Sequence, residues 1–405
     1  MLKKSVISLI IAVSVVLNMS FMPVLAAPQK TSEEKGSESA AKVTDKSNVF
    51  DLKAKASILM DGATGSVLME KNSHEKLPIA SITKVMSMLL IMEALDSGKI
   101  TYNDMVQVSE HSYDMGGSQV YLKPGEEFSV LDMLKAITIH SANDATVAMA
   151  EKISGSEEAF VAMMNQKAKE LGMNDTNFLD CTGLTDDGHY SCANDVAIMS
   201  KELVMKHPKI LEITTIWHDT FRNGTFSLDN TNKLIGRYDG INGLKTGFTT
   251  KAGYCLSASA LRNNMQLIAV VLGEPNGDIR FTEAKKLMDY GFATYEITEV
   301  NKKGEEVSVV EVKKGVGLSV KGVYGADVKL MLKKGDKGQI KRETKLEESL
   351  TAPVKTGQKI GEVVFKINDK EVGKADVVAE KEVSKASFVR IFFRMVVGWF
   401  GIGRK

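Results

Sequence analysis

The order of strand-like and helix-like segments between residues 56 and 299 constrains the fold of this chain more than any other feature of its sequence. Two short apolar runs, 56–62 and 65–70, lie on either side of a tight turn, and two more, 254–260 and 265–272, flank an Arg-Asn-Asn turn. Helical spacing of apolar residues predicts helices over 81–95, 130–139, 145–153, 157–171 and 283–292. Strands at both ends of a segment with helices between them predict an α+β domain.

Composition limits the class of protein. The 405 residues are 43% hydrophobic and 25% charged, which excludes a wholly disordered chain, a collagen-like chain and a multi-span membrane chain. The length predicts two or three domains. A formal net charge of +1 gives no bulk basic field, so we expect no nucleic-acid partner.

The character of the sequence changes after about residue 300. Short strand-like runs are separated by Lys-Gly and Asn-Asp turns, and helical periodicity is weak. The runs are 307–312, 317–323, 328–332 and 359–367. We therefore expect a small all-β domain that contains few candidate catalytic groups and serves as a spacer or support.

The first residues resemble a secretory signal. Lys3 and Lys4 precede the uncharged run 5–17, and Val24 and Ala26 suit the two positions that define a cleavage site. The alternative is an uncleaved membrane anchor, because the uncharged stretch is nearly long enough to span a bilayer. Polar residues and a proline interrupt the apolar run, which favours cleavage and predicts a protein that works outside the cytoplasm.

The last residues, 387–405, predict an amphipathic helix. Polar residues and glycines recur along one narrow stripe: Ser387, Arg390, Arg394, Gly398, Gly401 and Lys405. Apolar residues cover most of the remaining surface: Phe388, Ile391, Phe392, Met395, Val396, Trp399, Phe400 and Ile402. A basic helix lying in the membrane interface fits this pattern, whereas a spanning helix would not carry two arginines near its middle. The alternative is a terminal helix docked on the protein's own core.

One Ser-x-x-Lys element stands in a context suited to chemistry. The spacing occurs four times, but only Ser81 and Lys84 open a strongly apolar helix. There, a separation of three residues places both side chains on one face. The helix N-terminus directs backbone N–H groups toward the serine, and a buried lysine loses basicity and can accept a proton.

Two further short motifs follow in the chain. Ser141 and Asn143 form a Ser-x-Asn element in a break between helices, and Lys245-Thr-Gly precedes the strand at 254–260. A second Lys-Thr-Gly at Lys355 lies in the β-rich region and is typical of a turn. Each motif alone is short enough to occur by chance, but the three motifs in this order strongly indicate a shared catalytic site.

This set of motifs resembles that of the low-molecular-weight penicillin-binding proteins, the serine-type D-alanyl-D-alanine carboxypeptidases. The amino-acid sequence around the motifs also resembles that of this family, in the segments 77–84, 122–125, 140–145 and 285–292. The resemblance covers nearly all of the chain after the signal. It implies a penicillin-binding/β-lactamase-like catalytic domain, an antiparallel sheet with helices, followed by a small all-β domain and a C-terminal amphipathic helix.

Five segments are expected on this basis. Residues 1–26 form the signal peptide, and 27–50, rich in Lys, Glu, Ser, Thr and Ala without an aromatic residue, form a flexible tether. Residues 51–297 form the catalytic domain, 298–383 the β-rich domain, and 384–405 the membrane anchor.

The resemblance implies a role for each matching residue in the reaction. Ser81 would be the nucleophile, Lys84 the general base, and Ser141 the relay of a proton to the departing D-alanine. Lys245 would keep the site electropositive. The backbone N–H groups of Ser81 and Phe248 would form the oxyanion hole.

Four further residues would bind the substrate. Asn143 would hold the peptide backbone and Thr246 the terminal carboxylate. Gly247 would allow a close approach, since a side chain there would block it. Arg280 matches the family's carboxylate-binding arginine more loosely.

The implied partners are peptidoglycan stem peptides, β-lactams as covalent inhibitors, and a membrane surface contacted through 387–405. No metal and no organic cofactor are implied. The enzyme would cross the cytoplasmic membrane and attach to its outer face.

Four other readings compete. A Ser-His-Asp hydrolase lacks its G-x-S-x-G element here, and a zinc peptidase lacks H-E-x-x-H. A class A β-lactamase would carry a Glu-x-x-Leu-Asn element after the Ser-x-Asn motif, and this sequence has no match to it there. A non-enzymatic cell-wall-binding homologue is disfavoured, because every catalytic position is filled.

Three cysteines allow one disulfide at most, and three separate buried thiols fit equally well.

Overall fold

The structure is a computed structural model that describes residues 51–185 and 187–401. The predicted signal peptide (1–26) and tether (27–50) lie outside the described residues. The strands in chain order are β1 Ala56–Asp61, β2 Val67–Lys71, β3 Met105–Gln107, β4 Glu127–Ser129, β5 His218–Phe221, β6 Phe226–Asp229, β7 Ile241–Thr249, β8 Gly253–Arg262, β9 Met265–Glu274, β10 Tyr295–Asn301, β11 Glu306–Lys313, β12 Ser319–Tyr324, β13 Val328–Lys333, β14 Lys341–Leu346, β15 Ser349–Thr351, β16 Lys359–Ile367 and β17 Lys370–Ala379.

The α-helices are α1 Lys84–Asp96, α2 Glu110–Tyr113, α3 Val130–Lys135, α4 Asn143–Ser154, α5 Glu157–Glu170, α6 Ala193–Lys206, α7 Leu211–Thr214, α8 Ile279–Thr294 and α9 Phe388–Gly401. Short 3-10 helices occupy Ala80–Thr83, Pro208–Ile210 and Asp336–Gln339. A wider π-helical turn occupies Ala136–His140.

A five-stranded sheet organises the first part of the described chain. Its order is β2-β1-β9-β8-β7, and neighbouring strands are antiparallel. The strands come from both ends of the segment that the sequence predicted to begin and end in strands, with the helices between them. The α+β prediction is therefore confirmed.

The central strand β9 shows why the sheet is covered on both faces. All ten of its residues are buried. Because side chains alternate along a strand, Ile268, Val270 and Leu272 enter a core shared with α1, α4 and α6. Leu267, Ala269 and Val271 enter a second core under α8. A continuous apolar run is what a strand buried on both faces requires.

The second part of the chain is all-β, as predicted. A six-stranded sheet has the order β14-β16-β17-β12-β11-β15, and β10 pairs with β13 beside it. The runs predicted from sequence correspond to β11, β12, β13 and β16, with bounds that differ by at most two residues. The core of this part is mostly valine and leucine, with Phe365 at its centre. The strand β17 was not predicted, because four charged residues mask its short apolar stretch.

The last described element is α9, which the sequence predicted. Its exposed side chains include Phe388, Phe392, Phe393 and Trp399. No helix in the described part of the chain has the length and apolar character needed to cross a bilayer.

Candidate active site

Ser81 lies in a single turn of 3-10 helix that leads directly into α1. The turn spans Ala80–Thr83, and α1 begins at Lys84. The helix therefore starts three residues later than the predicted 81–95, but Ser81 and Lys84 still share one face. Lys84 Nζ lies 2.9 Å from Ser81 Oγ. A proton can pass between the two atoms without any rearrangement.

Burial changes the basicity of Lys84. Its side chain is fully buried, and its Nζ also donates to the carbonyl oxygen of Thr182 at 2.9 Å. Desolvation lowers the pKa of Lys84 to about 8, although the nearby Cys181, Asp180 and Asp144 oppose the shift. An amine with this pKa is partly neutral near physiological pH and can accept the proton of Ser81.

A cleft of about 300 Å³ opens over Ser81. Two of the other predicted site residues, Asn143 and Phe248, line it with Ser81. The remaining lining residues are Gly117, Ser118, Thr182, Gly183, Leu184 and Thr249. Three segments predicted to meet thus contribute to one cavity.

Ser141 and Asn143 sit where the chain changes direction between two helical segments. The wide turn Ala136–His140 ends at Ser141, which is buried and takes a left-handed conformation with φ of 68°. The helix α4 begins at Asn143, whose Nδ2 donates to the carbonyl of Gly116 at 2.7 Å. The buried Oδ1 of Asn143 has no protein partner, which leaves an acceptor available to a donor within the cleft.

The Lys-Thr-Gly motif lies in β7, at the edge of the sheet. Lys245 is fully buried, and desolvation together with the charges of Lys84 and Arg280 holds its pKa well below the ordinary value. Its Nζ donates to the carbonyl of Thr246 at 3.0 Å. The positive charges of Lys84 and Arg280 therefore add to desolvation in favouring the neutral form of Lys245.

Gly247 allows β7 to pack against the segment that leads into Ser81. A Cβ at this position would lie 2.8 Å from the carbonyl oxygen of Ile79 and 3.2 Å from the Cβ of Ala80. The family resemblance implied that Gly247 lets the strand approach the substrate closely, and that role stays a prediction. In the structure the approaching group is this backbone.

Arg280 does not line the cleft. It projects from α8, and its Nη1 donates to the carbonyl of Gly247 at 3.0 Å and to that of Cys255 at 3.4 Å. The guanidinium also lies over the ring of Tyr254, which stacks on Phe248 with ring centroids 4.3 Å apart. The side chain therefore supports the back of β7. A role in carboxylate binding remains a prediction.

Thr231 contributes to the site and was not identified from the sequence. Its backbone N–H donates to the carbonyl of Ile139, and its Oγ1 accepts from Thr246 Oγ1 at 2.7 Å. It thereby connects β7 to the turn that holds Ser141. An isolated threonine in a loop carries no sequence signal for such a role.

The loop around Asp180 was also missed. This loop supplies Thr182 and Gly183 to the cleft, and the Asp180 carboxylate accepts hydrogen bonds from their backbone N–H groups. An Asp with a Gly three residues later, as in Asp180 and Gly183, is a pattern typical of a tight turn, and that was the available signal.

Among the described residues, one group of side chains could share a metal ion, namely His74, Asp175 and Cys192. None of the three lines the cleft. All three cysteines are free and buried.

Comparison with known protein families agrees with this geometry. Residues 40–276 match the family described as D-alanyl-D-alanine carboxypeptidase, and residues 295–385 match the C-terminal domain of penicillin-binding protein 5. The chain belongs to the D-alanyl-D-alanine carboxypeptidase family. It is 46% identical over 350 residues to D-alanyl-D-alanine carboxypeptidase DacF of Bacillus subtilis. That alignment covers 85% of this chain and 90% of the Bacillus subtilis protein.

Two further members of the family are less similar in sequence. D-alanyl-D-alanine carboxypeptidase DacC of Escherichia coli is 36% identical, over 86% of this chain and 90% of that protein. The crystal structure of penicillin-binding protein 5 from Haemophilus influenzae superposes with a TM-score of 0.75 at 34% identity, over 83% of this chain and 99% of that one. The resemblance identified from the three motifs is thus confirmed.

Proposed function

We infer that this protein is a serine-type D-alanyl-D-alanine carboxypeptidase of peptidoglycan metabolism. It would remove the terminal D-alanine from stem pentapeptides and bind β-lactams covalently. The observation that carries this function is the 2.9 Å contact between Lys84 Nζ and Ser81 Oγ beside a cleft. A serine activated by a buried lysine is an acyl-transfer nucleophile that needs neither histidine nor metal.

The reaction would proceed in two steps. Neutral Lys84 takes the proton of Ser81, and Ser81 Oγ attacks the carbonyl between the two D-alanines. The tetrahedral oxyanion would be stabilised by the backbone N–H groups of Ser81 and Phe248. The peptide C–N bond breaks, and the D-alanine nitrogen receives, through Ser141, the proton that Lys84 took from Ser81. Neutral Lys84 would then take a proton from water as the water oxygen adds to the ester carbonyl, and would return it to the Ser81 oxygen as that oxygen leaves.

Substrate binding would use groups around the cleft. The unpartnered Oδ1 of Asn143 is suited to a peptide N–H. The hydroxyl of Thr246, at the edge strand, would contact the terminal carboxylate. Arg280 would add positive charge near that end of the substrate, and Lys245 would do so only in its protonated form, which burial disfavours.

The direct test is incubation with diacetyl-Lys-D-Ala-D-Ala, with release of D-alanine measured beside fluorescent penicillin labelling. The wild-type protein should give both signals, and Ser81→Ala should give neither. A Ser32→Ala variant is a matched control, because Ser32 also begins a Ser-x-x-Lys sequence but lies far from the motif set in the chain. Labelling of Ser81→Ala at the wild-type rate would refute the assignment of the nucleophile.

We also propose that the protein is secreted and held at the outer face of the membrane by 387–405. The exposed apolar side chains of α9 and the arginines beside them support an interfacial position. Arg394 Nη2 donates to the carbonyl of Val316 at 2.6 Å, so one side of the helix is docked on the β-rich domain while aromatic side chains point outward. Deletion of 387–405 should release the protein from lipid vesicles without loss of peptide hydrolysis. Continued sedimentation with vesicles would contradict the anchor.

A further inference from the structure

The loop that contributes Thr182 to the cleft is organised by one carboxylate. Asp180 Oδ1 accepts from the backbone N–H of Thr182 at 2.7 Å and from its hydroxyl at 2.9 Å. It also accepts from the N–H of Gly183 at 2.5 Å, and Oδ2 accepts from the N–H of Thr185 at 2.8 Å. Asp180 therefore determines the path of the turn 182–185 through direct bonds to its backbone.

That turn delivers an acceptor to the catalytic lysine. The carbonyl oxygen of Thr182 lies 2.9 Å from Lys84 Nζ, the same distance as Ser81 Oγ. When Lys84 is neutral, it can donate one N–H to Thr182 and direct its lone pair at the Ser81 hydroxyl. The position of the Thr182 carbonyl thus affects the direction in which Lys84 accepts a proton.

Asp180 also bears the charge that acts on Lys84 from this loop. Burial opposes ionisation of Asp180, but the charge of His189 and the hydrogen bonds of Thr185 and Thr182 outweigh it and lower the pKa to about 2. Burial raises the pKa of the adjacent Cys181 well above its ordinary value, so that thiol is neutral. From other elements, Lys84 is faced by Asp144 of α4 and by Lys245 of β7.

We propose that Asp180 is a positioning residue for the acylation step. It holds the Thr182 carbonyl against Lys84, and its negative charge favours the protonated form of that lysine. The inference rests on the proposed function, since it concerns the same nucleophile and base. The inference goes beyond the proposed function because it gives a role to Asp180, a residue outside the three motifs.

The test is the pH profile of acylation by a fluorescent penicillin for two variants. Asp180→Asn removes the charge, so protonated Lys84 loses a stabilising partner and the acid limb should move to lower pH by about one unit. The rate at high pH should also fall about tenfold, because the turn loses acceptors. Asp180→Glu keeps the charge but displaces it, so the rate should fall while the midpoint stays in place.

A matched control is Asp195→Asn. Asp195 is another buried carboxylate that accepts from a backbone N–H in a neighbouring loop, that of Asp175 at 2.8 Å, but it is not among the charges acting on Lys84. Its substitution should leave the pH midpoint unchanged. Thermal unfolding of each variant separates loss of fold from loss of positioning.

The outcomes are distinct. An Asp180→Asn variant that loses rate with an unmoved midpoint would overturn the charge role, and one with an unchanged profile would overturn the proposal. If Asp180→Asn does not fold, Asp180→Glu tests the positioning role. An acylation rate at high pH equal to that of the wild-type protein would then contradict this role. Failure of the wild-type protein to be acylated would instead refute the proposed function.

Discussion

Gly183 packs directly against the backbone of Ala80, the residue before the proposed nucleophile. A Cβ on Gly183 would lie 1.9 Å from the Ala80 carbonyl oxygen, and Gly183 has a φ of +82°. The contact joins the turn organised by Asp180 to the turn that carries Ser81. Any side chain at 183 would have to push these two segments apart.

Gly183→Ala should therefore reduce acylation by at least about tenfold, because displacement of the Ser81 turn misaligns the nucleophile. Gly172→Ala is the control, since Gly172 has a φ of +75° but nothing within 4 Å of an added Cβ. Both variants pay the left-handed backbone cost of about 1–2 kcal/mol, but the clash belongs to Gly183 alone. The measurements are the rate of penicillin labelling and the melting temperature. Equal losses in the two variants would contradict the packing argument.

The rate of acylation should depend on pH through Lys84. Burial lowers the pKa of this lysine to about 8, and the active form is the neutral amine. Activity is therefore present above pH 8 and lost as the pH falls through that value, by about tenfold per unit. Rates measured between pH 5.5 and 9.5, with unfolding followed over the same interval, test this point. A rate that still rises about tenfold per unit at pH 9.5 would show that burial does not lower the pKa of Lys84.

Arg280→Gln should lower both stability and acylation. The guanidinium donates to the carbonyls of Gly247 and Cys255, and loss of charged hydrogen bonds of this kind costs about 1–3 kcal/mol. Arg237→Gln is a suitable control, because that exposed arginine lies over the ring of Trp217 rather than over that of Tyr254. Substrate comparison separates the two roles of Arg280. A loss confined to peptides with a free terminal carboxylate would favour direct binding, whereas an equal loss with the corresponding amide would favour support of β7.

Phe393→Glu should weaken attachment to lipid vesicles. Phe393 is 62% exposed on α9, and burial of a phenylalanine side chain in lipid contributes about 1.5–3 kcal/mol, or roughly a tenfold to hundredfold change in binding. Val309→Glu is the control, since Val309 is similarly exposed at 54% but lies on β11. Cosedimentation with vesicles of phosphatidylethanolamine and phosphatidylglycerol measures the effect. Similar binding by the two variants would argue against α9 as the contact.

Periodic segments of the fold could be predicted from the sequence. The strands predicted at 254–260 and 265–272 are observed as β8 and β9 with slightly wider bounds. Their apolar runs are continuous because the strands are buried on both faces. The helix predicted at 130–139 divides into α3 and a wider turn, which ends at Ser141 in a left-handed conformation.

Other elements carry too little local signal. The helix α6 was not predicted, although its first turn is capped by Cys192, whose Sγ accepts from the N–H of Asp195. Sulfur is not among the usual capping groups, so the start of the helix is hard to recognise. Within the site, the three motifs identified residues with chemical roles. Supporting contacts such as Thr231 with Ile139 arise only when distant segments pack together.

The place of β7 as the last strand of its sheet has a consequence for recognition. One side of β7 is joined to β8, and the other faces away from the remaining strands. An extended peptide laid along that outer side would lengthen the sheet by one strand, and the main-chain groups would provide much of the affinity. In recognition of this kind the main-chain hydrogen bonds also fix the direction of the peptide, and its selectivity comes from pockets beside the strand that receive alternate side chains.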